Sequence, residues 1–181
     1  RRGVFVKCLV RRTSRVHFLE RLGVELVEGD YGHPDSLAAA VAGADHVYHL
    51  AAALTATDWE TYRRANVEAT RNLLAACRVL APGLRRFVFV SSISAAGPSE
   101  KGRARTEDEP CAPVSDYGRS KLLAEEAVGE YGRWFPVVTI RPPNVIGPRQ
   151  RELGEAIRLI RRRIVPVIGT GEPQTSLCYV G

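Results

Sequence analysis

Short apolar runs alternate along the chain with longer stretches of helical or polar character. The runs at 4–10 (Val-Phe-Val-Lys-Cys-Leu-Val), 24–30, 45–50, 87–90 and 135–140 are rich in β-branched or aromatic residues and too short for a buried helix, which predicts five strands. Between them the pattern predicts helices. One covers 13–22 and is ended by Gly23; another starts at His33-Pro34-Asp35-Ser36, with proline and acid in its first turn, and continues through alanines to Val41. The longest runs over 57–80, with Val67, Leu73, Leu74 and Cys77 near helical spacing; two more are expected over 116–131 and 152–163, with a short apolar run at 164–168 beyond the last. Strand alternating with helix is an α/β pattern.

The stretch from Phe87 to Lys121 carries the chemistry. Tyr117 and Lys121 are four residues apart, so on a helix the phenol and the ammonium stand one above the other on one face. A cation favours the ionised form of a neighbouring phenol, whose ordinary pKa is about 10, and so makes it a base usable near neutral pH. Ser92, just past a strand end, can hold a substrate oxygen, with Ser91 and Ser94 as competitors for that role. Each has a plainer reading: a packing tyrosine at a helix start, a solvated lysine, a serine capping a strand end.

Four pieces in fixed order lead further. They are Ser91-Ser92 running to Gly97, the Tyr117/Lys121 pair, Asn66 within Ala65-Asn66-Val67-Glu68-Ala69-Thr70, and Arg141-Pro142-Pro143-Asn144-Val145-Ile146-Gly147-Pro148. With these the chain resembles the short-chain dehydrogenase/reductase family, in its extended, sugar-nucleotide epimerase/dehydratase branch, over nearly its whole length. The resemblance implies a doubly wound parallel sheet of Rossmann-like type. It implies Ser92, Tyr117 and Lys121 as catalytic residues, with Lys121 also binding the nicotinamide ribose. It places Arg11, Asp30, Tyr31, Ala51, Ala52, Asn66, Tyr117, Lys121 and Pro143 on the dinucleotide, and Ser94 and Asn144 on the substrate. Asn66 is expected to keep the active site in place around the catalytic pair.

The arginine at the end of the run 4–10 favours NADP, since Arg there accommodates a 2′-phosphate where an acid takes the free hydroxyl; NAD remains open. Asp30 can equally cap the turn that follows it. The loop 97–114 is polar and long enough to be a binding loop, and its Lys101, Arg103 and Arg105 can face an anionic substrate or water. His46 and His49 alternate with apolar residues and read as packing histidines; no third ligand lies near them, so no metal is expected.

The expected function is NAD(P)-dependent epimerase/dehydratase chemistry on a secondary alcohol or ketone of a nucleotide sugar. Rivals are an NADP-dependent reductase or dehydrogenase of lipophilic alcohols, of hydroxysteroid or dihydroflavonol type, and a non-catalytic NADP-binding sensor.

Composition narrows this little. The 181 residues are 45% hydrophobic and 25% charged, which suits one compact domain or one plus part of another. No apolar run is long enough to span a bilayer, and the four cysteines are scattered without disulfide or metal spacing, so a cytoplasmic protein is expected. The net charge of +6 is spread among acids except at Arg161-Arg162-Arg163, which reads as a solvated helix end; no nucleic-acid partner is expected, and a homodimer is permitted. No Gly-x-Gly-x-x-Gly occurs. The expectation is therefore a nucleotide-binding domain over 1–168 that lacks its first strand and glycine-rich turn, the start of a substrate-binding portion over 169–181, and further chain on both sides in the intact protein.

Overall fold

The computed structural model describes residues 3–100, 103–148, 157–164 and 176–180. The chain forms two compact units, Arg1–Arg141 and Pro142–Gly181; the boundary expected at 168 lies outside the described residues.

In the first unit, β1 (Lys7–Val10) pairs in parallel with β2 (Glu25–Glu28), with Cys8 opposite Leu26. A second parallel sheet has the order β3 (His46–His49), β4 (Arg86–Val90), β5 (Val137–Ile140), with Val47 opposite Phe87 and Phe87 opposite Val137. No pairing joins β1 to β3 among the described residues. In a doubly wound sheet of order 3-2-1-4-5-6 the first strand stands at that junction.

The expected strands are present; β1, β2, β3 and β5 are shorter than their apolar runs, and β4 starts one residue before its run, at Arg86. Val4, Phe5 and Val6 lie outside β1 and are exposed. The helix expected over 13–22 is one turn, α1 (His17–Glu20), with no side-chain cap and no buried residue to anchor it. The next is a 3₁₀ turn, Pro34–Leu37, continued by α2 (Ala38–Val41).

The long helical stretch is real and has a defect. It consists of α3 (Trp59–Tyr62), a π-helical turn (Arg63–Glu68) and α4 (Ala69–Leu80). Asp58 starts it by accepting a hydrogen bond from the Thr61 N–H at 2.8 Å. After β4 come the single turn α5 (Ile93–Ala96) and α6 (Asp116–Tyr131), whose limits are those the sequence predicts.

Phe87 and Phe89 on β4 project from one face of the sheet onto Leu73, Leu74 and Cys77 of α4 and Ala124, Ala127 and Val128 of α6. Burying each phenylalanine contributes roughly 2–3 kcal/mol. Burial pushes the Cys77 thiol up to about 12, so it packs as an inert apolar group. This core anchors the strand end and the helix that carry the candidate site.

The second unit contains β6 (Asn144–Ile146) paired in parallel with β7 (Leu177–Tyr179), Val145 opposite Cys178. Residues 157–161 are helical; the rest of the helix expected over 152–163 is outside the described residues up to 156. No helix among the described residues is long and apolar enough to cross a membrane.

Candidate active site at the end of β4

Ser115 caps α6 by accepting a hydrogen bond from the Gly118 N–H at 3.1 Å, which places Tyr117 in the first turn. Gly118 is required by packing, because a Cβ there would stand 2.2 Å from the Ser94 carbonyl oxygen. Its absence lets α5 and α6 approach. Ser92, extended at the end of β4, caps α5 through its Oγ, which accepts from the Ser94 N–H at 3.1 Å. The same hydroxyl interacts with the Tyr117 phenol and favours its ionised form. Ser92 and Tyr117 are thus brought together as the sequence suggests.

Lys121 departs from the expectation. It lies on the same helix face but is 1% exposed, and its ammonium donates to the Val90 carbonyl at 2.8 Å while sitting 4.2 Å from the Phe89 ring centroid. Burial pulls its pKa down to about 8, against the opposing attraction of Glu125. The phenol is not made acidic: burial raises the Tyr117 pKa, Ser92 lowers it in part, and Tyr62, whose ring centroid is 6.2 Å away, raises it further. The four-residue spacing put the two groups on one face, but the desolvated ammonium is held by the strand-end carbonyl, and the phenol turns to Ser92.

Asn66 sits in the π-helical turn, 2% exposed, and works as a staple. Its amide accepts from the Ala53 N–H at 2.7 Å, donates to the Ala53 carbonyl at 3.1 Å, and donates to Ser120 Oγ at 2.9 Å. Ser120 in turn donates to the Tyr117 carbonyl at 2.7 Å. The loop after β3 is therefore tied to the helix turn between Tyr117 and Lys121. Ala51 and Ala52 lie in that loop, exposed and half-buried.

His49 is a packing histidine, buried against Phe87, Phe89 and Tyr31. Thr70 Oγ1 gives its proton to the Asn66 carbonyl at 2.6 Å, so His49 Nε2, 2.9 Å from that oxygen, must be the donor of their bond. Nδ1 is left as a bare acceptor, buried without a partner among the described residues. Burial and the nearby Lys121 pull the pKa of His49 down to about 3.

The residues expected to meet adenosine stand at the ends of β1 and β2. Arg11 is exposed at the end of β1. Asp30 accepts from the Gly32 N–H at 2.7 Å and so caps its turn, the plainer of its two readings. The Tyr31 ring packs 5.3 Å from His49, and its carbonyl accepts from Asn72 at 2.7 Å. Pro143 and Asn144 belong to the second unit, where Asn144 opens β6 opposite Leu177.

The loop 97–114 closes on itself. Arg103 forms a two-pronged ion pair with Glu109, at 2.8 and 2.9 Å, and Arg105 donates to the Pro98 carbonyl at 3.1 Å and to that of Pro110. Both side chains are hydrogen-bonded within the loop, with Arg103 half exposed to solvent; Lys101 lies outside the described residues. At the base of the loop, Gly97 has φ 89° and would place a Cβ 2.1 Å from the Ala112 carbonyl oxygen. The loop walls a cavity of about 220 Å³ lined by Ile93, Ser94, Gly97, Pro98, Val114 and Ser115.

All 181 residues match the model of the NAD dependent epimerase/dehydratase family. The chain belongs to that family. It is 32% identical to an N-acetyl-alpha-D-glucosaminyl-diphospho-ditrans,octacis-undecaprenol 4-epimerase of Escherichia coli O157:H7, over 84% of this chain and 47% of that protein. It is also 32% identical to a 4-hydroxy-2-methyl-3-oxo-4-farnesyl-3,4-dihydroquinoline-1-oxide ketoreductase of Stigmatella aurantiaca, over 99% of this chain and 54% of that protein. Its fold matches the crystal structure of UDP-glucuronic acid 4-epimerase from Bacillus cereus in complex with NAD at a TM-score of 0.83 and 27% identity, covering 98% of this chain and 61% of that one. The chain spans about half the length of the curated relatives it matches. The fold is Rossmann-like, with parallel strands and covering helices, as expected.

For this member of the epimerase/dehydratase family, residue types and motifs pointed to Ser92, Tyr117, Lys121 and Asn66 as candidates but not to the residues that contact them. Ser120, Ala53 and Tyr62 act through contacts between distant segments and carry no sequence signal. Glu125 does carry one: it continues the four-residue spacing of Tyr117 and Lys121 and has a side chain only 9% exposed.

Proposed function

We propose that this family member transfers hydride reversibly between a nicotinamide cofactor and a carbon bearing a hydroxyl, on a nucleotide sugar, in the manner of an epimerase or dehydratase. The observation that carries this reading is the convergence of Ser92, Tyr117 and the buried Lys121 at the end of β4.

The residues fit the cofactor. A buried ammonium has three N–H donors, and the described residues supply Lys121 with one acceptor, the Val90 carbonyl. The remaining donors suit ribose hydroxyls, while the small Ala51 and Ala52 allow close backbone approach and Arg11 suits a 2′-phosphate, which favours NADP. When bound, the nicotinamide supplies the hydride acceptor and donor. Ser92 holds the substrate oxygen, and Tyr117 takes or returns its proton at the phenol oxygen. In the cofactor-free protein burial raises the phenol's pKa, so its activation depends on the charges that surround it once the site is filled. The protein named for UDP-glucuronic acid and the undecaprenol-linked sugar epimerase support a sugar substrate.

A second reading is favoured by one feature. The cavity beside Ser94 is walled by Ile93, Pro98 and Val114, and the nearby arginines are tied within the loop. Such a wall suits a lipophilic ketone, and the Stigmatella relative is named a ketoreductase. Incubating the intact enzyme with NAD or NADP and a panel of UDP-sugars and lipophilic ketones separates the readings. Isomerisation without net change in nicotinamide absorbance supports the first, net oxidation or reduction the second, and turnover undiminished in Tyr117→Phe overturns both.

A further inference from the structure

Three consecutive residues at the end of β4 meet three residues on one face of α6. The Val90 carbonyl takes the Lys121 ammonium, the Ser91 hydroxyl donates to Glu125 Oε1, and the Ser92 hydroxyl meets the Tyr117 phenol. Tyr117, Lys121 and Glu125 are spaced by four and so lie on one face of α6, while their partners Ser92, Val90 and Ser91 are adjacent at the strand end and are not met in chain order.

The contact of Ser91 with Glu125 is the most heavily built of the three. Arg141, just past β5, donates from Nε to Glu125 Oε1 at 3.0 Å and from Nη2 to Oε2 at 2.6 Å. Ser91 is 4% exposed, and its N–H donates to the Ile140 carbonyl at 2.8 Å, beside Arg141. A buried carboxylate held by a two-pronged guanidinium and a hydroxyl is a fixed point, because removing one partner would strand the other.

We propose that Glu125 is a positioning residue that sets the register of the β4 end against α6 through Ser91 and supplies the counter-charge of the Lys121 ammonium, with Arg141 setting how much of that charge Lys121 feels. The inference deepens the proposed function, since it assigns how the Tyr117, Lys121 and Ser92 constellation is held and charged. Among the described residues, the titratable groups whose charge bears on Lys121 are Glu125 on its own helix and His49 on β3. Arg141 follows β5, and the Cys111 thiol, in the loop before α6, faces Arg141. His49 is neutral above about pH 3, which leaves Glu125, itself paired with Arg141, as the fixed charge acting on Lys121.

Ionisation of Lys121 in the cofactor-free intact protein tests this without any substrate, read from the pH titration of its side-chain ¹³Cε resonance. Glu125→Gln removes the counter-charge and leaves Arg141 unopposed, so the Lys121 midpoint moves to lower pH. Arg141→Gln leaves the carboxylate uncompensated and moves it to higher pH. Ser91→Ala keeps both charges and leaves it in place, while loosening the strand end and lowering kcat by up to about 100-fold with KM little changed. The opposite signs of the first two shifts keep the test decisive if one of those variants does not fold. Midpoints that stay together in the folded variants, or a Ser91→Ala enzyme with wild-type kcat, would overturn the inference. Tyr117→Phe separates this from the function itself: an active Tyr117→Phe enzyme sinks the catalytic reading, whereas an inactive one beside unshifted Lys121 midpoints sinks only the role of Glu125.

Discussion

The end of β4 and the end of β1 each lie beside a cation for which a dinucleotide contact is proposed, and the fold treats the two in opposite ways. Lys121 is 1% exposed, held by a strand-end carbonyl and an aromatic ring, with its pKa pulled down to about 8. Arg11 is exposed, and its local structure rests on a backbone bond from its N–H to Ser14 Oγ at 3.0 Å, not on its guanidinium. A buried cation cannot be altered without disturbing the packing that orients it, so that region is suited to chemistry. An exposed one can be exchanged with little effect on stability, typically within about 0.5 kcal/mol, which is compatible with its proposed part in discrimination between cofactors.

The comparison breaks first at the phenol. Tyr117→Phe is expected to lower kcat by up to about 10⁴-fold while leaving cofactor affinity within a few-fold, as measured by turnover and by cofactor titration. Next comes the acid limb of stability, governed by the buried His49. The unfolded chain takes a proton on this imidazole near pH 6.5, but the folded chain takes it only near 3. The unfolded state therefore binds more protons between these values, and stability falls as pH drops through that window, by about 4 kcal/mol from this group. Denaturant titrations between pH 7 and 3.5 should show this slope in the wild type and a shallower one in His49→Phe; equal slopes would remove His49 as the cause.

A smaller effect is expected at the staple. Asn66→Leu strands the N–H and carbonyl of Ala53 and should lower stability by about 3 kcal/mol, read as a lower midpoint in urea. The smallest is at the exposed cation. Arg11→Ala should leave the thermal midpoint unchanged and reduce the preference for NADP over NAD by roughly tenfold, the worth of one charged hydrogen bond. An unchanged cofactor ratio would show that the adenosine end is read elsewhere.

Legibility along the chain follows the range of the forces involved. The limits of α6 were readable from the sequence, and the structure shows that they are set locally, by the Ser115 cap at its start. The helix over 57–80 was readable as a helix, but the π-helical turn at Arg63–Glu68 was not, since it is stabilised by the bonds of Asn66 to Ala53 and to Ser120, which lies 54 residues away. The basic loop shows a related limit. Arg103 and Arg105 are chemically fit for an anion, but their partners within the loop, Glu109 and the carbonyls of Pro98 and Pro110, were not readable from the residue types.

The sequence by itself determined the alternation of strand and helix, the family, and the residue types of the candidate site, because periodicity, capping and reactive side chains are properties of neighbouring residues. Only the tertiary structure decided that the Lys121 ammonium faces the Val90 carbonyl, that Tyr117 meets Ser92, and that Glu125 and Arg141 stand behind them. A side chain's direction and charge state depend on which distant groups exclude water from it, and those groups meet only once the chain has folded.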